Sequence, residues 1–166
     1  LTNLLHTVKR QDLVWILLFS IGLIGINSCS TSAFFYYPSK EIKYFPDTSE
    51  CKYEEVNFRS ADDGIVNGWF IKPKTGKVIG TVLFFHGNGG NLGYQFQALM
   101  SLAAAGFQSL VFDYQGYGNS HGKASQEHVL EDGLAALDFI RMREDVKGTK
   151  LILYGQSLGA HLAVVV

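Results

Sequence analysis

Three continuous apolar runs, each followed by a glycine-containing loop and a helical pattern, constrain the fold of this chain most. The runs cover residues 78–85, 107–112 and 150–154. Their β-branched and aromatic side chains are typical of strands buried on both faces of a parallel sheet. The helical patterns cover residues 92–105, 125–143 and 158–166. This repeated alternation predicts an α/β fold with right-handed crossovers and helices on both faces of the sheet.

A β-hairpin is predicted ahead of these strand–helix units. Residues 54–59 alternate apolar and polar side chains, which favours a short strand. Asp62-Asp63-Gly64 is a turn signal, and residues 65–72 form the returning strand. Hydrophobic residues make up 47% of the chain, which is enough for a packed core. We therefore predict an α/β domain, of which this sequence holds one part, over residues 53–166.

The first 29 residues have the layout of an export signal rather than of a folded domain. Two basic residues precede an apolar run at residues 13–26, which is short for a spanning helix that needs about 20 apolar residues. The run leads into Ile26-Asn27-Ser28-Cys29, which resembles the lipobox of bacterial lipoproteins, with Asn27 where a small residue is usual. We predict lipidation at Cys29 and attachment to the membrane on the exported side. The alternative is an uncleaved N-terminal membrane anchor.

Residues 30–52 combine aromatic residues, two prolines and several serines, and are predicted to form an irregular linker. The aromatic residues at 34–37 either pack against the first strands of the domain, which we favour, or lie in the headgroup region of a membrane. If Cys29 is acylated, Cys51 has no cysteine partner left in this sequence. If it is not, a Cys29–Cys51 disulfide is open in an oxidising compartment.

The segment Gly155-Gln156-Ser157-Leu158-Gly159 carries the candidate chemistry. A G-x-S-x-G pattern between a strand and a helix places the serine in a tight, strained turn, with glycines where side chains would collide. Ser157 is therefore the candidate nucleophile. The N–H of Leu158 is one candidate oxyanion donor, because the first amides of the following helix point toward the developing charge. The second is the N–H of Asn88, in the His86-Gly87-Asn88-Gly89-Gly90 loop two strands earlier, with the amides of the neighbouring glycines as the alternative.

The stretch from about residue 54 to residue 166 resembles the α/β-hydrolase superfamily, and most of all its membrane-associated branch related to serine aminopeptidase-like and acyl-ester hydrolases. The matching segments are residues 83–91, 113–120 and 153–160. The resemblance implies hydrolysis of an ester, thioester or amide through an acyl-enzyme, with a small-molecule or acyl substrate and without a cofactor. Gln115 stands where that branch commonly has arginine.

The acid and the histidine of a serine triad have no candidate after Ser157. In this superfamily both follow the serine along the chain, whereas residues 158–166 contain His161 and no carboxylate. His161 is interpreted as a helix-surface residue. The chain is thus predicted to be the N-terminal part of an α/β-hydrolase fold, incomplete after the elbow and weakly active or inactive by itself. The alternatives are a non-catalytic remnant and a lipid-anchored binding protein that keeps the elbow geometry.

Other polar residues are expected to have structural roles. His86 precedes the nucleophile, so we expect it to hold its loop by hydrogen bonds rather than act as the base. Asp113 is expected to cap amides of the 116–118 loop, with ligand binding as the alternative. Asp132 and Asp138 lie in a helical pattern and are expected to be solvated.

Charge and residue spacing argue against two classes of function. A net charge of −1, without a run of like charges, indicates no cationic surface for nucleic acid. The histidines and cysteines have no zinc-motif spacing, so no metal site is predicted.

Overall fold

Strands and helices alternate along residues 35–74 and 76–166, the parts of the chain that the computed structural model describes. Predictions for Cys29 and the apolar run therefore lie outside the described residues. The strands are β1 (Tyr37–Pro38), β2 (Cys51–Arg59), β3 (Ile65–Pro73), β4 (Gly80–Phe85), β5 (Gly89–Gly90), β6 (Phe107–Phe112) and β7 (Leu151–Gly155). The helices are α1 (Leu92–Gln95), α2 (Gln97–Ala104), α3 (Gln126–Met142) and α4 (Leu158–Val165), and a 3-10 turn covers Ala61–Asp63. Within these described residues, no helix is both long enough and apolar enough to cross a membrane.

The main sheet has the strand order β2-β3-β6-β4-β7. Strands β2 and β3 form the predicted antiparallel hairpin, and β4 pairs in parallel with β6 on one side and β7 on the other. Strand β3 pairs antiparallel with β6, a connection that the sequence pattern did not predict. Every residue of β4 is buried, as expected for the strand between two parallel neighbours.

Helices cover both faces of this sheet, as predicted. Because side chains alternate along a strand, Leu83 and Phe85 of β4 join one apolar cluster and Phe84 joins the other. The first cluster includes the buried faces of α3 and α4, and the second includes those of α1 and α2. Strand β4 thus contributes side chains to both halves of the core.

The helix predicted over residues 92–105 is divided at Phe96. The N–H of Leu99 donates to the carbonyl of Phe96 at 2.8 Å, an i+3 bond that tightens the turn between α1 and α2. The Phe96 ring is 4% exposed and packs edge-on against Trp69 at a centroid distance of 5.5 Å. The Phe96 ring is thus buried against the sheet at the turn between α1 and α2, a turn that the helical pattern of the sequence did not predict.

Candidate active site

Ser157 occupies the turn between β7 and α4. Strand β7 ends at Gly155 and helix α4 begins at Leu158, so the predicted strand–turn–helix context is present. Ser157 has φ 53° and ψ −117°, a conformation that is costly for a residue with a side chain. Ser157 is exposed at the carboxyl edge of the sheet. The hydroxyl is thereby presented at the edge where ligands bind in open α/β sheets.

Both glycines of the elbow are required by close backbone contacts. A Cβ atom at Gly155 would lie 2.1 Å from the carbonyl oxygen of Gly159, and one at Gly159 would lie 1.9 Å from that of Phe85. These distances are far below van der Waals contact. Helix α4 can therefore start directly against the end of β4 only because both positions lack side chains.

The loop after β4, residues 86–90, lies against this elbow. The N–H of Gln156 donates to the carbonyl of Phe85 at 3.1 Å. The Cβ position of Gly87 is 3.5 Å from the carbonyl oxygen of Gln156. The structure thus brings the loop that holds Asn88 next to the turn that holds Ser157 and Leu158, and we call residues 86–90 the oxyanion loop. The roles of Ser157, Asn88 and Leu158 remain predictions.

Tyr117 and residues 35–37 of the predicted linker hold the side chain of Asn88. The Tyr117 hydroxyl lies 2.8 Å from both the carbonyl oxygen and Oδ1 of Asn88. Burial raises the pKa of Tyr117, so the hydroxyl keeps the proton that it donates here. The N–H of Tyr37 also donates to Oδ1 at 3.3 Å, and Nδ2 donates to the carbonyl of Phe35. The Asn88 side chain is thus committed to the protein, in accord with the backbone N–H as the predicted oxyanion donor.

Gln95, at the end of α1, fixes the other side of the oxyanion loop. Its Oε1 accepts from the N–H of Gly87 at 2.7 Å, while Nε2 donates to the carbonyls of Gly87 at 3.2 Å and Gly89 at 2.7 Å. Sequence reasoning did not single out Gln95. The available signal was an amide side chain, which both donates and accepts, one helical turn after a glycine-rich loop.

His86 has the structural role expected from its position. Its ring is fully buried and Nδ1 lies 2.7 Å from the carbonyl oxygen of Gly87, which makes Nδ1 the donor. Nε2 is 3.3 Å from Oδ1 of Asp113, without the alignment of a hydrogen bond. The hydroxyl of Tyr114 donates to the His86 carbonyl at 2.9 Å. His86 therefore braces the oxyanion loop from inside the core.

The expectation that Asp113 caps amides of the 116–118 loop is wrong. Oδ1 of Asp113 instead accepts from the N–H of Leu92 at 2.7 Å, at the start of α1. The carboxylate does crowd Gly118, where a Cβ atom would lie 1.9 Å from Oδ2. The cap acts across the sheet edge because β4 and β6 are neighbours, so the loops that follow them meet.

The expectation that Asp132 is solvated is also wrong. Asp132 is fully buried, and its carboxylate accepts from the backbone N–H of Gln115 at 2.7 Å and from its Nε2 at 3.1 Å. Burial raises the pKa of Asp132, and the hydrogen bonds from Gln115 oppose that shift. The buried face of α3 turns this carboxylate toward the 115 loop, whereas Asp138 on the same helix is exposed as expected. Gln115 thus gives Asp132 a neutral partner where the resembled branch commonly has arginine.

Residues 37–39, in the predicted linker, contact both the oxyanion loop and the 116–118 loop. Strand β1 pairs in parallel with β5. The N–H of Ser39 donates to the carbonyl of Gly90 at 2.8 Å, and the Ser39 carbonyl accepts from Gly118 at 2.9 Å and from Nδ2 of Asn91 at 3.0 Å. Of the four aromatic residues at 34–37, Tyr36 packs on the core as favoured, whereas Phe35 and Tyr37 are exposed.

His161 lies on the exposed surface of α4, as predicted. Its backbone N–H lies 3.4 Å from the carbonyl oxygen of Ser157, which is a helical contact and not one with the serine hydroxyl. This placement favours a helix-surface role over that of a general base.

A family model agrees with this geometry. The model described as serine aminopeptidase, S33, matches residues 76–166, more than half of the chain and all of the segment from β4 to α4. The chain belongs to the serine aminopeptidase S33 family of α/β hydrolases.

Relatives of this S33-family chain are found in bacteria and in plants. YfhR of Salmonella typhimurium is 34% identical over 168 residues, which cover 96% of this chain and 54% of the relative. The α/β hydrolase domain-containing protein WAV2 of Arabidopsis thaliana is 30% identical over 128 residues, which cover 76% of this chain and 42% of WAV2. The chain therefore spans about half the length of the curated relatives that it matches.

Solved structures show the same fold. The Pyrococcus furiosus esterase PF2001 superposes with a TM-score of 0.67 at 20% sequence identity, over 78% of this chain and 50% of the esterase. At this level of identity the likeness bears on the fold alone. It confirms the α/β-hydrolase architecture predicted from the order of strands and glycine-rich loops.

Proposed function

We propose that this chain carries the nucleophile of a serine hydrolase that cleaves an ester, thioester or amide through an acyl-enzyme. The observation that carries the proposal is the φ 53°, ψ −117° conformation of Ser157, held between two glycines that tolerate no side chain. Strain at a single exposed serine is a reason to suspect function, because the rest of the structure must hold it in place. Membership of a hydrolase family supports the reaction class.

The proposed reaction begins when Oγ of Ser157 attacks the substrate carbonyl and loses its proton to a general base. The carbonyl oxygen becomes an oxyanion that accepts from the N–H groups of Leu158 and Asn88. Collapse of the tetrahedral intermediate breaks the bond to the alcohol, thiol or amine, which leaves with that proton. Water then attacks the acyl-enzyme, releases the carboxylic acid and restores the Ser157 hydroxyl.

We propose that the general base and its acid partner come from residues beyond this sequence, in a protein of the relatives' length. Residues 158–166 contain no carboxylate, and His161 lies on the surface of α4. Without a base, the serine hydroxyl is a weak nucleophile. We therefore expect the 166-residue chain to retain only the small rate enhancement that oxyanion stabilisation and binding supply.

Labelling with a fluorophosphonate probe tests the nucleophile. The 166-residue chain, its Ser157→Ala variant and a product extended to the relatives' length are compared. Ser101→Ala serves as the matched control, because Ser101 is also exposed but lies on α2. We expect labelling of the extended product that Ser157→Ala abolishes and Ser101→Ala leaves unchanged. An extended, folded product that resists the probe would remove the basis for a serine hydrolase.

We also propose that the protein is attached to a membrane on its exported side through Cys29. The support is the sequence alone: the short apolar run and the lipobox-like segment that ends at Cys29. Expression in a bacterial host with a labelled fatty acid tests this. Label that is lost in Cys29→Ser and kept in Cys51→Ser supports lipidation. Membrane association of the unmodified chain without any fatty-acid label indicates an uncleaved anchor instead.

A further inference from the structure

The buried ring of His86 contacts the peptide unit that contains a predicted oxyanion donor. Its Nδ1 lies 2.7 Å from the carbonyl oxygen of Gly87. That carbonyl and the N–H of Asn88 belong to one planar peptide unit. Because the acceptor is a carbonyl oxygen, Nδ1 is the donor, whether the ring is the Nδ1–H tautomer or the cation. His86 thus donates to one end of the peptide whose other end carries the predicted donor.

A hydrogen bond to a peptide carbonyl strengthens the N–H of the same peptide unit as a donor. Electron density is drawn toward the carbonyl oxygen through the resonance of the peptide group, so the amide hydrogen becomes more positive. Such cooperative strengthening is about 10–30% per bond. Nε2 of Gln95 also donates to the Gly87 carbonyl, at 3.2 Å. The N–H of Asn88 is therefore polarised by two side chains that act on the same carbonyl.

The hydrogen bond from His86 is shielded from water. The His86 ring and Gly87 are buried, whereas Asn88 is half-buried and Gly89 is exposed. Little water competes for the proton on Nδ1 or for the carbonyl oxygen, and the low local dielectric strengthens the bond. The peptide unit thus runs from the core toward the surface of the site, with its donor on the outer residue.

Three neighbours hold the His86 ring in this orientation. Nε2 lies 3.3 Å from Oδ1 of Asp113. The rings of Tyr114 and Tyr117 pack against the imidazole at centroid distances of 4.5 Å and 5.4 Å. Together these contacts leave Nδ1 directed at the carbonyl of Gly87, so the donor does not depend on a mobile side chain.

The N–H of Asn88 has no competing acceptor among the residues that the structure describes. The other polar groups of Asn88 are engaged: the Tyr117 hydroxyl contacts its carbonyl and Oδ1, and Nδ2 donates to the Phe35 carbonyl. The N–H of the neighbouring Gly87, by contrast, already donates to Oε1 of Gln95 at 2.7 Å. Between these two residues, Asn88 therefore keeps the polarised donor for a substrate.

We propose that His86 is a positioning residue of the oxyanion hole, which polarises the Gly87–Asn88 peptide through its hydrogen bond to the Gly87 carbonyl. The inference rests on the proposed function and gives His86 an electrostatic role beyond holding the loop. The N–H of Asn88 interacts more strongly with the oxyanion of the transition state than with the carbonyl of the bound substrate. Loss of the polarisation should therefore lower kcat and leave KM nearly unchanged.

Two amide substitutions at His86 separate polarisation from bracing. In His86→Asn the amide nitrogen takes the place of Nδ1 and can donate to Gly87, whereas in His86→Gln it takes the place of Nε2, beside Asp113. Both are assayed in a product extended to the relatives' length, with p-nitrophenyl acetate as the substrate. We expect His86→Gln to lower kcat about tenfold, less than the roughly 100- to 1,000-fold loss on removal of an oxyanion donor. His86→Asn should keep most of the activity.

Tyr114→Phe is the matched control, since the Tyr114 hydroxyl also donates to a carbonyl of this loop, that of His86 at 2.9 Å. That carbonyl belongs to the preceding peptide unit, whose N–H on Gly87 already binds Gln95. Tyr114→Phe should therefore lose stability in urea and keep its kcat. An equal fall in kcat in Tyr114→Phe and His86→Gln would overturn the role of His86, because loosening of the loop would then explain both.

A spectroscopic measurement on the 166-residue chain in detergent micelles does not depend on the reaction. The carbonyl ¹³C resonance of Gly87 and the amide proton resonance of Asn88 report hydrogen bonding at the two ends of the peptide. Both should shift to lower frequency in His86→Gln and stay in place in His86→Asn and Tyr114→Phe. Unmoved resonances in His86→Gln would overturn the polarisation.

The two measurements keep the failure of this inference apart from that of the proposed function. An extended product that hydrolyses no ester and resists the fluorophosphonate, while the resonances shift in His86→Gln, would sink the hydrolase and leave the polarised peptide standing. Hydrolysis with the same kcat in His86→Gln as in the unmodified product would refute the positioning role and keep the hydrolase.

Discussion

The side chain of Gln95 binds both backbone polar groups of Gly87: Oε1 accepts from its N–H at 2.7 Å, and Nε2 donates to its carbonyl oxygen at 3.2 Å. A third hydrogen bond runs from Nε2 to the carbonyl of Gly89 at 2.7 Å, so Gln95 binds both residues that flank Asn88. Three hydrogen bonds from one side chain thus hold the backbone that carries a predicted oxyanion donor.

Replacement of Gln95 should loosen this loop. In Gln95→Ala the buried N–H of Gly87 loses its partner, which should lower the free energy of unfolding by about 1–3 kcal/mol. Urea denaturation followed by tryptophan fluorescence measures the loss, and amide hydrogen exchange should rise at residues 87–90. Gln97→Ala, at an exposed position on α2, is the control and should change neither quantity. Unaltered exchange in Gln95→Ala would mean that the loop is held without this side chain.

The elbow glycines should tolerate no side chain. Gly159→Ala places Cβ 1.9 Å from the carbonyl oxygen of Phe85, so the backbone must move, and we expect a loss of about 3 kcal/mol in unfolding free energy. Gly89→Ala, with nothing within 4 Å of its Cβ position, should be nearly neutral. Thermal unfolding of both variants checks the contrast. Equal stabilities would show that α4 is packed less closely on β4 than the structure indicates.

Strain at Ser157 should be measurable as stability. At φ 53° and ψ −117°, glycine is favoured over any residue that has a Cβ atom. Ser157→Gly should therefore be more stable than Ser157→Ala by about 1 kcal/mol, the low end of the cost of such strain. The same pair of substitutions at Ser101, inside helix α2, should show the opposite order, because glycine is unfavourable there. Denaturant unfolding of the four variants checks both orders.

The buried carboxylate of Asp132 should make stability depend on pH. Burial raises its pKa in the folded state above that of the unfolded chain. The folded state then holds the proton more tightly, so this contribution to stability is full below the unfolded pKa of about 3.9 and is lost as pH rises through the raised value. The unfolding free energy of Asp132→Asn, relative to the unmodified chain, should therefore increase from pH 4 to pH 8.

Asp138→Asn is the control for this pH dependence, since Asp138 lies on the same helix and is exposed. His128, also on α3, has a pKa raised first by the hydrogen bond that Nδ1 of its ring donates to the Lys123 carbonyl and further by the charge of Asp132, so Asp132→Asn also lowers the pKa of His128. A difference between Asp132→Asn and the unmodified chain that stays constant with pH would mean that Asp132 ionises in the folded state as it does in water.

Several features of the site could be predicted from the sequence because they are local. The strand–turn–helix at Ser157 rests on a short pattern whose meaning hardly depends on the rest of the chain. Strand β6 was predicted with the bounds Phe107–Phe112 that the structure shows, because a buried parallel strand is a continuous apolar run. The N-cap of α3 is equally local: the side chain of Ser125 accepts from the N–H of His128 at 3.0 Å.

The tertiary structure decided what depends on contacts between distant residues. The bond between Asn88 and Phe35 joins positions 53 apart in the sequence, and the Gln115–Asp132 pair joins positions 17 apart. Helical periodicity did not show that Asp132 would lie on the buried face of α3. Composition could not show that the predicted linker pairs with the oxyanion loop. Local patterns report the period of a segment, whereas burial and pairing follow from which segments the sheet order brings together.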